Sequence, residues 1–310
     1  MPVPVPTTGF ARIAGAGKPR AREAGRRPAH RSAAAPGRAR RFSGSNLAGI
    51  AAILSAEGKG RRMRIRFLGT GDAFGSGGRL NACFLVERSD RSFLIDCGAS
   101  SMIALRRAGV DPNAVAGILI SHLHGDHFGG LPFFVLDGQL VSRRTGPLTV
   151  VGPPGLRARC EQLMEACFPG SWSAPRKFAL DFVELEPAAR AVAPALDLAA
   201  TGRVVRHPSG APSLALRVEA DGRTLAYSGD TEWVEELVAT ARDADLFIAE
   251  AYTFEKPVRF HMDFATLRGE LPRIGAKQVV LTHMSPDMLG RDPQAFGRCI
   301  PAFDGMELVI

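Results

Sequence analysis

Residues 114–127 read AVAGILISHLHGDH, an apolar run that ends in three histidines and an aspartate within six positions. The run follows the break at Asp111-Pro112, and its Val and Ile content over so short a length predicts a buried strand that delivers His122, His124, Asp126 and His127 at its end. Neutral imidazoles with a carboxylate suit zinc and neighbouring divalent metals, and a set without thiols suits a catalytic rather than a structural site. His122 and His124 share a side of an extended segment because side chains alternate with a period of two. Gly125 then permits a turn that re-aims Asp126 and His127, so one segment can serve two neighbouring ions.

Working outward, the chain before the cluster shows strand-like runs RIRFLG (64–69), NACFLVE (81–87) and RSFLID (91–96), then helical spacing in SSMIALRRAGV (100–110). After the cluster come a helix from near His127 to about Leu140, strand LTVVG (148–152), helix GLRARCEQLMEACF (155–168) and a variable stretch to about residue 200. Strands GRVVRH (202–207), SLALRVEA (213–220) and RTLAYSGD (223–230) precede helix TEWVEELVATA (231–241) and strand ADLFIAEA (244–251). Helix DFATLRGELPRI (263–274), strand QVVLTH (278–283) and a short helix and strand complete the chain. The alternation suggests an α/β fold of two sheets faced by helices, with no visible sequence repeat.

The formal charge of +8 invites a nucleic-acid reading until its distribution is examined. Thirteen of the 39 Lys and Arg and two of the 31 Asp and Glu lie before residue 63, so residues 1–62 carry +11 and residues 63–310 carry −3. Residues 1–62 read as a disordered basic leader, either an organelle-type presequence or translation upstream of a start at Met63; the strand beginning directly after Met63 favours the second. Residues 63–310 then form one hydrolase domain. Five cysteines (Cys83, Cys97, Cys160, Cys167, Cys299) with no CxxC pair point to a reducing, cytoplasmic setting. No apolar stretch approaches the roughly twenty residues of a membrane span, so no membrane partner is expected.

Of seven histidines, only His30 lies in the leader; the other six sit at predicted strand ends or in the loops beyond. HLHGDH resembles the HxHxDH signature of the metallo-β-lactamase superfamily, and His207 in VVRHPSG, Asp230 in AYSGDT and His283 in VVLTHMSP follow in the order that family requires. The resemblance covers about residues 63–310 and implies a four-layer αβ/βα sandwich. It also implies that His122, His124 and His207 bind one ion, that Asp126, His127 and His283 bind the other, and that Asp230 bridges them. Read alone, Asp230 is equally an N-cap for TEWVEELVATA. Two divalent ions, zinc in the first instance with manganese, iron or cobalt accepted by the same ligands, would activate a bridging water as hydroxide and make the reaction a hydrolysis.

The segment IAEAYTFEKPVRFHMDF narrows the branch, because Glu250 and His261 resemble the Glu and His of ribonuclease Z-like enzymes. The resemblance implies a carboxylate orienting an imidazole that protonates the leaving oxygen, with Asp126 accepting a hydrogen bond from the nucleophile. Asp96 in LIDCG resembles a strand-end aspartate that orients a ligand or loop. One departure matters: ribonuclease Z usually carries a long basic arm where only 22 residues here separate His207 from Asp230. A small phosphodiester, cyclic nucleotide or other ester therefore fits better than tRNA, and nucleic acid is not the favoured partner. The alternatives are a tRNA 3′ endonuclease, an arylsulfatase or ester hydrolase, and a metal-stabilised binding protein; the resemblance further implies a homodimer. The Gly-rich GTGDAFGSGG (69–78) lacks the Lys-Ser/Thr of a phosphate-binding P-loop and reads as a flexible loop at the site mouth, with Arg79 and Arg259 able to meet an anion.

Overall fold

Strands buried on both faces need apolar residues at nearly every position, and those of this protein supply them. The computed structural model describes residues 62–310 except Asp90; residues 1–61, which hold nearly all of the basic leader, lie outside the described residues. The first sheet opens as an antiparallel meander of β1 (Arg64–Gly69), β2 (Cys83–Glu87) and β3 (Ser92–Ile95). Helix α1 (Ser101–Arg107) then crosses to β4 (Val115–Leu119), which pairs parallel with β3. Helices α2 (Gly125–Phe128) and α3 (Leu131–Leu140) lead to β5 (Leu148–Gly152), and α4 (Leu156–Cys167) to β6 (Leu180–Glu184), both strands parallel to the one before.

The second sheet repeats the scheme. Strands β7 (Arg190–Ala193), β8 (Leu198–Val204), β9 (Leu214–Ala220) and β10 (Arg223–Tyr227) are antiparallel. Helices α5 (Glu236–Ala241), α6 (Phe264–Ile274) and α7 (Pro286–Leu289) then alternate with parallel β11 (Leu246–Glu250), β12 (Gln278–Thr282) and β13 (Ile300–Pro301). Strand β14 (Met306–Val309) returns to pair with β1. Each sheet has seven strands with three antiparallel pairings followed by three parallel ones, a structural duplication that the sequence does not display.

Period-two alternation sorts side chains into layers. Phe84 and Val86 of β2, Phe93 and Ile95 of β3, Leu214, Leu216 and Val218 of β9 and Ile248 of β11 meet between the sheets. Cys83, Leu85 and Leu94 face helices α1, α3 and α4 on one side, while Phe247, Ala249, Val279 and Leu281 face α5 and α6 on the other. Helix, sheet, sheet and helix make the four-layer αβ/βα sandwich expected from the sequence. Gly117 of β4 is required by that contact, since an added Cβ would lie 2.4 Å from a Leu196 methyl of the opposite half. Among the described residues, no helix is long and apolar enough to cross a membrane.

Several sequence expectations change. The helix expected from His127 to Leu140 is broken at Gly129-Gly130, where Gly130 packs its backbone on Cys97 and Gly98. The variable stretch before residue 200 holds β6 and β7, the edge strands, whose half-exposed sides dilute the apolar pattern. The helix expected over 231–241 begins only at Glu236. Asp230 is therefore not its N-cap, and Thr231 N instead donates to Glu250 Oε2 at 2.6 Å.

Candidate metal centre

In open α/β sheets, functional groups gather beyond the carboxyl ends of parallel strands. Asp96 follows β3, His122 follows β4, Asp230 follows β10, Glu250 ends β11 and His283 follows β12. His207 comes from the loop after β8 and His261 from the loop before α6. The segment carrying His122 to His127 is clamped by the chain after Asp96. Cys97 N donates to His127 O at 2.6 Å and Ala99 N to Gly125 O at 3.1 Å. An added Cβ on Gly98 would lie 2.1 Å from Asp126 O, so only glycine allows this approach.

His122, His124 and His207 form one group of potential ligand atoms; Asp126, His127, Asp230 and His283 form a second, all atoms of each group lying within 4.8 Å of one another. His124 Nδ1 and His207 Nε2 are 3.0 Å apart. Asp230 lies between the groups, its Oδ2 3.9 Å from both His122 Nε2 and His207 Nε2 and 3.2 Å from His283 Nε2, with Oδ1 3.3 Å from His127 Nε2. Asp126 Oδ2 lies 3.2 Å from His127 Nε2 and 3.3 Å from His283 Nε2.

One ring nitrogen each of His122, His127 and His207 has a partner that leaves the other free for a cation. Asp96 Oδ2 accepts from His127 Nδ1 at 2.7 Å and from Ser121 Oγ at 2.8 Å, while Asp96 Oδ1 accepts from Ser121 N at 2.8 Å. His207 Nδ1 donates to Phe260 O at 2.9 Å, and His122 Nδ1 faces Ser121 Oγ at 3.1 Å. Asp96, Phe260 and His283 all have left-handed backbone, with φ of 57°, 69° and 57°. Such strain in non-glycine residues is characteristic of functional sites.

The residues present fit divalent ions. His122 Nε2 is buried without a hydrogen-bond partner, and His127 Nε2 and Asp230 Oδ1, also buried, face each other at 3.3 Å without a well-formed hydrogen bond. Burial pushes His122 well below the ordinary imidazole range, toward the neutral form that binds metal. Burial opposes charge on His283 too, yet Asp230, Asp126 and Glu250 hold it up to about 10. Burial disfavours ionised Asp126 and Asp230, but attraction to His127 and His283 holds both carboxyls below their ordinary range. Carboxylates that draw protons onto these imidazoles will equally draw cations into their place.

Beside this cluster, His261 Nδ1 meets Glu250 Oε1 at 2.5 Å, and Glu250 Oε1 is 3.3 Å from His283 Nδ1. Burial disfavours the imidazolium of His261, but the hydrogen bond and charge of Glu250 raise its pKa above the ordinary value. Of two side chains read as able to meet an anion, Arg79 donates into the protein and Arg259 lies exposed over a ring. Arg79 Nη1 donates to Ala302 O at 2.7 Å, and the Arg259 guanidinium lies 4.4 Å from the Phe260 ring centre. The Gly-rich loop is not loose: Asp72 accepts from Phe74 N at 3.1 Å and from Ser76 N at 2.9 Å, and Asp304 from Thr70 N at 2.9 Å and Leu80 N at 2.8 Å. Sequence reasoning missed Ser121, which adjoins the motif, and the Phe260 carbonyl, which no side-chain pattern reveals.

Comparison with known proteins agrees with this geometry. Ribonuclease Z of Methanosarcina acetivorans is 26% identical over 306 residues, covering 80% of this chain and 98% of that protein. The crystal structure of the human tRNase Z short form matches with a TM-score of 0.64 at 25% identity, covering 79% of this chain and 98% of that one. A diphosphatase of the PhnP family shares the fold, with a TM-score of 0.62, 16% identity and coverage of 79% and 97%. The chain is a metal-dependent hydrolase of the metallo-β-lactamase superfamily, ribonuclease Z-like branch. The family described as anti-Pycsar protein Apyc1 matches residues 63–299, the span from the first strand through the last metal-type histidine, and it is to this family that the chain belongs.

Proposed function

We propose that this protein is a binuclear phosphodiesterase for a small phosphodiester such as a cyclic nucleotide. The observation that carries the reading is the way the chain returns from His207 to Asp230: β9 and β10 form a tight hairpin within the second sheet, which leaves no arm for a tRNA and an approach suited to a small ester. His122, His124 and His207 would hold one ion and Asp126, His127 and His283 the other, with Asp230, whose Oδ2 lies 3.9 Å from His122 Nε2 and His207 Nε2 and 3.2 Å from His283 Nε2, shared between them. Divalent ions there, zinc first, would supply charge stabilisation on the substrate and an activated water at neutral pH. Asp126 would accept a hydrogen bond from that water. His261 donates a proton to the leaving oxygen through Nε2, because Glu250 Oε1 engages its Nδ1 and fixes the ring. Glu250 is itself fixed, since its second oxygen accepts from Thr231 N at 2.6 Å and Met262 N at 3.4 Å.

The test is metal content and hydrolysis of bis(p-nitrophenyl) phosphate and of cyclic nucleotides by the full chain, Asp230→Ala and His261→Ala. Near two ions per chain, loss of metal and activity in Asp230→Ala, and retained metal with about 10²–10⁴-fold slower cyclic-nucleotide hydrolysis in His261→Ala are expected. Full metal loading without diester hydrolysis would move the substrate to sulfate or carboxylate esters. A second reading, tRNA 3′ endonuclease, is supported by the similarity to ribonuclease Z over nearly that enzyme's whole length. It predicts tRNA cleavage with a steep salt dependence, whereas turnover of a small diester falls little with added salt.

A further inference from the structure

Tyr252 is two residues beyond Glu250, the last residue of β11, and nothing in the metal cluster requires it. Its ring lies 4.8 Å from that of His261 and 5.9 Å from that of His283, so it backs the imidazole beside the ions and one within them. Its backbone is pinned on both sides: Tyr252 N donates to Met262 O at 2.8 Å, and Ser285 N donates to Tyr252 O at 3.0 Å. The side chain is only partly buried. Burial raises its phenol above the ordinary tyrosine range, and the carboxylates of Asp72, Glu250 and Asp230 add to that shift. None of the described residues is recorded as a hydrogen-bond partner of that hydroxyl, whereas the hydroxyl of the deeply buried Tyr227 faces His127 Nδ1 at 3.5 Å. A tyrosine whose body packs and whose polar tip has no protein partner is placed to bind a ligand.

We infer that Tyr252 is a substrate-contacting residue, its hydroxyl donating to a substrate oxygen that gains no charge in the reaction, beside the leaving oxygen that His261 protonates. The inference rests on the hydrolase reading above but not on which acid is esterified. A hydrogen bond made equally in ground and transition states lowers KM without raising kcat. A tyrosine that only props His261 would act through its ring and would be indifferent to loss of the oxygen.

The experiment measures kcat, KM and metal content for the metal-loaded full chain, Tyr252→Phe and Tyr252→Leu with cyclic nucleotides, bis(p-nitrophenyl) phosphate, p-nitrophenyl sulfate and p-nitrophenyl acetate. The constants are read on whichever ester the wild type hydrolyses. Tyr252→Phe is expected to raise KM about three- to tenfold, the worth of one hydrogen bond, with kcat within about twofold and metal content unchanged. Tyr252→Leu is expected to lower kcat as well, because His261 loses its stacking wall. Wild-type KM in Tyr252→Phe, or loss of metal from it, overturns the inference while leaving the phosphodiesterase reading intact. Turnover of the sulfate or acetate ester alone overturns the phosphodiesterase reading and still tests Tyr252; hydrolysis of none overturns both.

Discussion

Replacing Asp96 by Asn changes one oxygen and should weaken metal binding at atoms it never touches. Asp96 is fully buried, and its left-handed backbone, with φ of 57°, suits Asn as well as Asp, so the substitution perturbs charge and hydrogen bonding with little backbone cost. The carboxylate accepts three hydrogen bonds, from Ser121 N, Ser121 Oγ and His127 Nδ1. An amide keeps one carbonyl oxygen for these donors and turns an N–H₂ toward at least one of them. If that one is His127, its ring must adopt the tautomer that puts the proton on Nε2, the nitrogen aimed at Asp126 and Asp230. Loss of an orienting partner of this kind costs about 10–100-fold in metal affinity, or about 1.4–2.7 kcal/mol. The unsatisfied donor should also destabilise the metal-free fold by about 1–3 kcal/mol. Competition against a chelator, with bound metal counted per chain, reads the first quantity and urea unfolding of the metal-free protein the second. A folded Asp96→Asn protein that binds metal within twofold of wild type would refute the argument that this carboxylate sets the His127 tautomer.

Phe84 packs between the sheets, 5.4 Å from the Phe67 ring and 5.3 Å from that of Tyr227, so Phe84→Ala is expected to lower the unfolding free energy by about 3–5 kcal/mol, read as an earlier urea midpoint. Arg88 is buried against Asp221 at 2.6 Å and also bonds the Leu196 and Asp197 carbonyls; Arg88→Ala leaves a nearly buried carboxylate without this partner, an expected loss of about 3–5 kcal/mol by the same assay. Metal binding should release protons at pH 7, because His127 is held well above the ordinary imidazole range and His283 up to about 10 despite burial, and the cation displaces those protons. Affinity therefore rises with pH and falls as pH drops through neutrality; calorimetry in two buffers of different ionisation enthalpy counts the protons, and a count of zero would contradict the charge assignment.

The layers were legible because strands buried on both faces write themselves as apolar runs: β5, β11 and β12 could be drawn from sequence to within a residue or two, and β4 to within three. The edge strands β6 and β7 were not, since partial exposure removes the pattern that reveals a strand. Residues 231–235 look helical in isolation but precede the helix, and Thr231 N is engaged by Glu250, nineteen positions away, a contact no local window contains. The Gly-rich loop looks flexible for a similar reason, its restraint by Asp304 coming from more than 220 residues further along.

For the site, residue type and order alone nominated the histidines and Asp126, Asp230, Glu250 and His261, because imidazole and carboxylate groups at consecutive strand ends have few other uses. What tertiary structure alone decided is which ring nitrogens have protein partners, that Ser121 and the Phe260 carbonyl stand behind the rings, and that the Tyr252 ring lies tilted beside those of His261 and His283. Chemistry is local to a side chain and so can be read from the chain itself. Orientation is set by partners brought together only when two sheets close on each other, and that information exists only in the folded molecule.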